Sequence, residues 1–227
     1  LFRSLMDKKP LKKVKPKAIP KALNVANIVN QVVQRIKFEN EWYQAFKQPQ
    51  DKGVWFIWGG SGSGKSTFIM MLCKILAFLG FKVFLNLMEE ETDDTDFIDR
   101  VNLLEMNEVE GNFLARSYEY ADLVVYLKRK QSAKVVVIDS ATYFFESFDQ
   151  YKEFKKMFKD KIIIITGHAT GKNPRSKLEE DIMYDAKMKI FVNGYLALCK
   201  GRTIGPNGGR FVIWQDGYNK LNGETND

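Results

Sequence analysis

Nine consecutive residues, Gly59-Gly60-Ser61-Gly62-Ser63-Gly64-Lys65-Ser66-Thr67, have the types and spacing to grip a polyphosphate. The glycines at 59, 60, 62 and 64 let the backbone wrap tightly, so that successive N–H groups can converge on phosphate oxygens. The pattern G-x-x-x-x-G-K-[ST] is met in full, with Lys65 set to reach the β- and γ-phosphates and the Ser66 hydroxyl to ligate Mg²⁺. An apolar run, Val54-Trp55-Phe56-Ile57-Trp58, precedes it and a helix-like stretch, Phe68 to Leu79, follows it. That context of strand, turn and helix adds the positive end of a helix dipole to the same spot. Thr67 then starts the packed face of the helix. A glycine-rich hairpin with a chance lysine is the competing reading, and it does not account for the flanks. The expectation is a site for ATP with Mg²⁺.

Three further positions carry groups suited to such a ligand. Asp139 closes the aliphatic run Val135 to Ile138. An acid at the carboxyl edge of a sheet, beside the loop of the first strand, can hold Mg²⁺ through a water. Glu89 and Glu90 follow the apolar run that ends at Leu87, where a carboxylate can orient and deprotonate the water attacking the γ-phosphate. Glu89, nearer the strand, is the preferred base. His168, the single histidine, follows Ile162 to Ile165 in Thr166-Gly167-His168 and can hydrogen-bond the γ-phosphate or attacking water. Each has a plainer alternative: a capping Asp, a solvated acidic loop, a structural His.

The order of these signals resembles the RecA superfamily, especially its RadA/Sms-type branch and the replicative hexameric helicases. Those families place a catalytic Glu after the second core strand, as Glu89 stands here. Gly167-His168, the basic stretch 172–177 and Leu178-Glu179 look like the RadA-type strand end, basic loop and Leu-Glu segment. The resemblance implies that Lys172, Arg175 and Lys177 contact DNA, with an ordinary polar surface loop as the alternative. It also matches Lys200-Gly201-Arg202-Thr203-Ile204-Gly205 to a Lys-Asn-Arg-Phe-Gly motif whose cations reach a neighbouring subunit's nucleotide. Gly201 stands for Asn and Thr203-Ile204 for Phe, which departs from that pattern. Two cations two residues apart on a β-like segment share one side and suit charge stabilisation at a γ-phosphate in trans. Heads snorkelling at a sheet edge are the alternative. The resemblance spans roughly residues 40 to 216 and implies a homo-oligomer, ring or filament, acting on DNA, single-stranded by preference. A RecA-fold regulatory ATPase that switches protein partners without nucleic acid is the second reading. A small-molecule phosphotransferase is the third, and the chain offers no arginine-rich lid for it.

The elements that must position these groups read as an α/β fold: a RecA-like P-loop core with a mostly parallel sheet flanked by helices and a C-terminal antiparallel extension. Buried strands are expected at 82–87, 134–138 and 161–166, and helices over 22–36, 41–46, 97–104, 118–130 and 144–158. A polar loop is expected over 167–177. Short β pieces follow at 188–193, 195–200 and 210–214, with turns at Asn193-Gly194 and around residues 205–209. The domain reading is a basic arm over 1–21, a helical lead-in over 22–52, the ATPase core over 53–216 and a polar tail over 217–227.

The bulk composition fits this reading. The chain has 227 residues and 45% apolar content, enough for one α/β domain. Its formal net charge is +7. Residues 1–22 hold eight lysines and arginines against Asp7 alone, so the remainder is balanced and the basic character belongs to the arm. Such an arm is either a solvated tail or a salt-sensitive attachment to a phosphate backbone. No apolar run reaches the roughly 18 residues of a membrane span, and no secretory leader pattern is present. Cys73 and Cys199 lack metal-ligand spacing and read as buried small hydrophobes in a reducing cytoplasm.

Overall fold

The computed structural model describes residues 20–205 and 207–222. The arm, apart from its last two residues, lies outside that range, as do residue 206 and the last five residues of the tail. The chain divides after Val33. In the first unit, the described part holds α1, Val25–Val29, capped by the Asn24 side chain, which accepts from the Asn27 N–H. The helix expected over 22–36 is therefore one short turn-and-a-half. Val25, Ile28, Val29, Val32 and Val33 are β-branched and lose rotamer freedom in a helix, and Asn30 ends it.

The unit from Gln34 onward is built on strand β1, Gly53–Gly59, at the centre of a nine-stranded sheet. Its parallel members are β1, β2 (Val83–Leu87), β3 (Phe113–Arg116), β4 (Val135–Asp139), β5 (Ile162–Thr170) and β7 (Met188–Asn193). The antiparallel members are β6 (Asn173–Pro174), β8 (Leu196–Gly201) and β9 (Gly209–Val212). The spatial order is β3-β2-β4-β5-β1-β7-β8-β9, with β6 paired to β5.

Both faces of the central strands are covered, and that is why they read as unbroken apolar runs. Along β1, Trp55 and Ile57 point into one core with Phe68, Leu72 and Leu76 of helix α3 (Lys65–Phe78). Val54, Phe56 and Trp58 point into the other, with Tyr151 and Phe154 of helix α7 (Phe148–Met157). Each such side chain buried contributes roughly 1.5–3 kcal/mol. Helix α2, Asn40–Phe46, closes the first core over β9, where the Trp42 and Phe211 rings lie 4.3 Å apart.

Further expectations need correction. First, the segment 144–158 is two helices, α6 (Ala141–Phe144) and α7, because the Ser147 side chain caps a new start by accepting from Gln150 N–H. Helix α5 is also shorter than expected, Tyr120–Leu127. Second, the polar loop 167–177 is absent: β5 runs on to Thr170 and turns back as β6. Third, helix α8, Lys177–Asp185, follows and carries the chain back over the sheet, so β7 is parallel to β1 and belongs to the core. Only β8 and β9 form the antiparallel extension. Fourth, the polar tail begins as helix α9, Gln215–Asn222.

Candidate functional site

The glycine-rich segment leaves β1 at Gly59 and enters α3 at Lys65. Gly62 and Gly64 take φ of 69° and 91°, values that a side chain would strain. Gly60 and Gly62 have open space where a Cβ would stand, so bare backbone faces a cavity of about 370 Å³. Lys65, Ser66 and Thr67 line that cavity from the first turn of α3. Loop geometry and room are thus those a triphosphate needs.

Glu89 and His168 line the same cavity from the ends of β2 and β5, with His168 Nε2 2.9 Å from Glu89 Oε1. Glu90 is engaged elsewhere: Arg100 of helix α4 (Thr95–Leu103) grips its two oxygens at 2.7 and 3.3 Å. Arg100 also reaches the cavity, a residue the sequence reading did not single out.

Asp139 ends β4, 7% exposed, and accepts a hydrogen bond from the Thr166 hydroxyl. Burial pushes its carboxyl above the usual carboxylate range. Lys65 and the Thr166 hydroxyl pull it back, while Glu89 and Glu90 push it further up. A buried acid near Lys65 fits a divalent cation, which would favour its charged form. Among the described residues no cluster of three His, Cys, Asp or Glu could hold a metal.

Tyr195 is a second residue missed from sequence. It sits in the turn after Asn193 with φ 58°, beside Gly194 at φ 55°, the two positive-φ positions of a tight hairpin. Its N–H donates to the Ser63 carbonyl, its ring edges onto Trp214, and a Cβ at Gly64 would stand 2.9 Å from that ring. The hairpin turn thereby braces the phosphate loop and walls the cavity. The Asn193-Gly194 signal located the turn but not what the turn touches.

The basic stretch after His168 is split by the structure. Lys172 lies in the β5–β6 turn, its carbonyl accepting from Trp58 Nε1–H. Arg175, with Thr142, Tyr143 and His168, lines a neighbouring cavity of about 360 Å³. Lys177 opens α8 and is paired with Asp181 at 2.9 Å and Glu180 at 3.2 Å. Beneath them Glu179 is fully buried and accepts from His168 N–H, Ser176 N–H and the Ser176 hydroxyl at 2.8, 2.8 and 2.9 Å. Ser176 and Glu179 form a capping box, a signal legible as Ser-x-x-Glu.

Lys200 and Arg202 are not at this site. Lys200 is on β8 opposite Lys189, and Arg202 lies just past the strand. Both sit at the edge of the sheet where β1 and β7 begin, away from the phosphate loop. Both cysteines are buried and free, with burial pushing the Cys199 thiol up to about 12.

The chain has a RecA-like α/β fold, a mostly parallel sheet flanked by helices. Flagellar accessory protein FlaH from Methanocaldococcus jannaschii is similar at a TM-score of 0.58 and 17% identity, over 79% of this chain and 93% of that one. The KaiC-like protein PH0186 from Pyrococcus horikoshii OT3 is similar at 0.55 and 20%, over 80% of this chain and 99% of that one. At these identities the likeness is one of fold. No family model and no curated protein matches the sequence. Among the described residues no helix is long and apolar enough to cross a membrane.

Proposed function

We propose that the chain is a Mg²⁺-dependent ATPase that works as a homo-oligomer on DNA, single-stranded by preference, in replication or recombination within the cytoplasm. The observation that carries the hydrolytic part is the single cavity into which the glycine-rich loop, Lys65, Ser66 and Glu89 all face. Glu89, held by His168, takes a proton from water as the water oxygen bonds to the γ-phosphorus. The bond to the β–γ bridging oxygen breaks, and ADP leaves with its charge met by Lys65 and the loop N–H groups. Ser66, and Asp139 through a water, would hold Mg²⁺, which would supply charge neutralisation at the phosphates.

The DNA and oligomer parts rest on the RadA/Sms-type motif order, the basic arm, and Lys172 and Arg175 beside His168. Lys200 and Arg202 would then serve a neighbour's nucleotide. The proposed domains are an arm over 1–21, a lead-in over 22–52, a core over 53–216 and a tail over 217–227, although the chain divides after Val33, inside the lead-in. One observation favours the second reading, a regulatory ATPase that switches protein partners: Lys177 is already neutralised by Glu180 and Asp181, which thins the positive field of the proposed DNA loop.

ATP hydrolysis measured with and without single-stranded DNA across a salt series separates the readings. Stimulation that fades as salt rises supports DNA action. Insensitivity to every nucleic acid favours the partner switch, and phosphate transfer to a metabolite would make the chain a phosphotransferase.

A further inference from the structure

Five of the six parallel strands are entered through a lysine: Lys52 before β1, Lys82 before β2, Lys134 before β4, Lys161 before β5 and Lys187 before β7. Parallel strands share a direction, so these five ammoniums gather at one edge of the sheet, opposite the phosphate loop. Three of them donate to backbone carbonyls. Lys82 Nζ donates to the Gln131 carbonyl, Lys134 to the Asp160 carbonyl with Asp51 at 3.2 Å, and Lys161 to Ser132 and the Ala133 carbonyl.

Lys52 and Lys187 are different. With Arg202 and Gln50 they line a cavity of about 230 Å³ floored by Trp55 and Met188. Among the described residues no carboxylate lies within ion-pair distance of Lys52, Lys187 or Arg202. The nearby acids are spent: Asp185 on Lys155, Asp51 on Lys134. Lys187 donates only to the neutral Gln50 side-chain carbonyl, at 3.1 Å. Its stem is fixed in place, because Gly53, at φ 115°, leaves bare backbone where a Cβ would stand 2.7 Å from Lys187 Cδ. Burial, then Lys52, Lys155 and Arg202, pull the Lys187 ammonium below lysine's ordinary value.

Cations crowded without an acid are a cost to the folded chain, and an anion entering between them removes it. We infer that this edge carries a second phosphate-binding site, centred on Lys187 and walled by Lys52 and Arg202. The volume is below the roughly 300–1,000 Å³ of drug-sized pockets, which suits a phosphoryl group with the rest of its carrier outside. Seven residues of β1 at about 3.3 Å each put it some 20 Å from the glycine loop, so one nucleotide does not fill both. The chemistry is a phosphate ester or anhydride; its source is a nucleic-acid backbone or the nucleotide of a second copy. Binding here does not depend on the ATPase reading.

The test is calorimetric titration of tripolyphosphate into the full chain carrying Lys65→Ala, which silences the first site. One saturable site per chain is expected, weakened about tenfold or more by Lys187→Met and by Lys52→Met. Lys187→Arg should retain it, and Lys82→Met, whose side chain does not line this cavity, should not change it. Unfolding midpoints check that each variant is folded. Absence of a saturable site, indifference to Lys187→Met, or equal loss in Lys82→Met would overturn the inference. If an oligonucleotide competes with tripolyphosphate, the backbone is the source. If sedimentation of the chain with Lys65 intact shows ATP-dependent assembly that Lys187→Met abolishes, the source is the neighbour's nucleotide.

Discussion

The imidazole of His168 and the carboxylate of Glu89, 79 residues apart in sequence, meet at 2.9 Å on the rim of the phosphate cavity. The contact ties Glu89, just past β2, to a residue of β5, and β5 continues directly into the β6 turn that carries Lys172.

Replacing Glu89 by Gln is expected to lower kcat by about 10²–10⁴-fold, the usual worth of a positioned base, with nucleotide affinity changed only a few-fold. His168→Ala should cost less, with a reduced kcat at near-constant KM, because the base remains but is no longer oriented. Single-turnover hydrolysis beside fluorescent-nucleotide binding reads both. Full turnover in Glu89→Gln would move the base to another carboxylate. Glu90 is the nearest in sequence, and Arg100 already holds it.

Asp139 makes a stability prediction with a definite sign. Its carboxyl is raised in the folded state, chiefly by burial. A raised carboxylate adds stability that is complete below its unfolded value, near 3.9, and lost as pH climbs through the folded value. At neutral pH without nucleotide or metal it is therefore a burden. Asp139→Asn should raise unfolding stability at pH 7 by about 0.5–2 kcal/mol, the scale on which strained functional groups give way. The gain should shrink toward pH 4, and Mg²⁺-dependent turnover should be lost. Denaturant unfolding at the two pH values decides it: a wild-type chain that is the more stable at pH 7 contradicts the account.

Glu179 is the buried anchor of the β5–β6 turn, and its three acceptor contacts come from backbone and side chain of His168 and Ser176. Glu179→Ala leaves those donors buried and unmatched, at about 1–3 kcal/mol each before relaxation. A loss of about 3 kcal/mol or more in urea unfolding is expected, with Glu179→Gln intermediate. Gly167→Ala should act through the same place, since its Cβ would fall 2.6 Å from the Phe56 ring and 2.8 Å from Glu179 Oε1. Wild-type stability in both variants would show that the turn stands without this anchor.

The parts of the fold legible in sequence were those governed by local rules. The glycine loop and the strands expected at 82–87, 134–138 and 161–166 announce themselves because both sheet faces are buried and the apolar runs are continuous, whereas the polar end of β5, to Thr170, does not. Strand β3 does not, being four residues at an edge with alternating exposure. Helix α8 hid behind its charged first turn, and missing it left β7 looking like a hairpin arm. The site was legible where a residue lies at or just past the carboxyl end of an apolar run, as Glu89, Asp139 and His168 do. Arg100 and Tyr195 were not, because an arginine on a helix and a tyrosine in a turn gain their meaning only from what tertiary packing brings beside them.

Arg202 yields the sharpest test of assembly. Gly201 pairs with Met188, and Met188 lies beside Trp55, four residues along β1 from Gly59. At about 3.3 Å per residue, the arginine starts some 13 Å or more from the loop of its own chain. A role in hydrolysis must then be exercised on another copy. Arg202→Ala is expected to bind nucleotide normally and to lose turnover. Mixing it with Lys65→Ala chains should restore activity, because one partner keeps the nucleotide grip and the other the cation. Two inactive variants that stay inactive when mixed, or an Arg202→Ala chain at full turnover, would remove the residue from catalysis and leave it to the edge cavity alone.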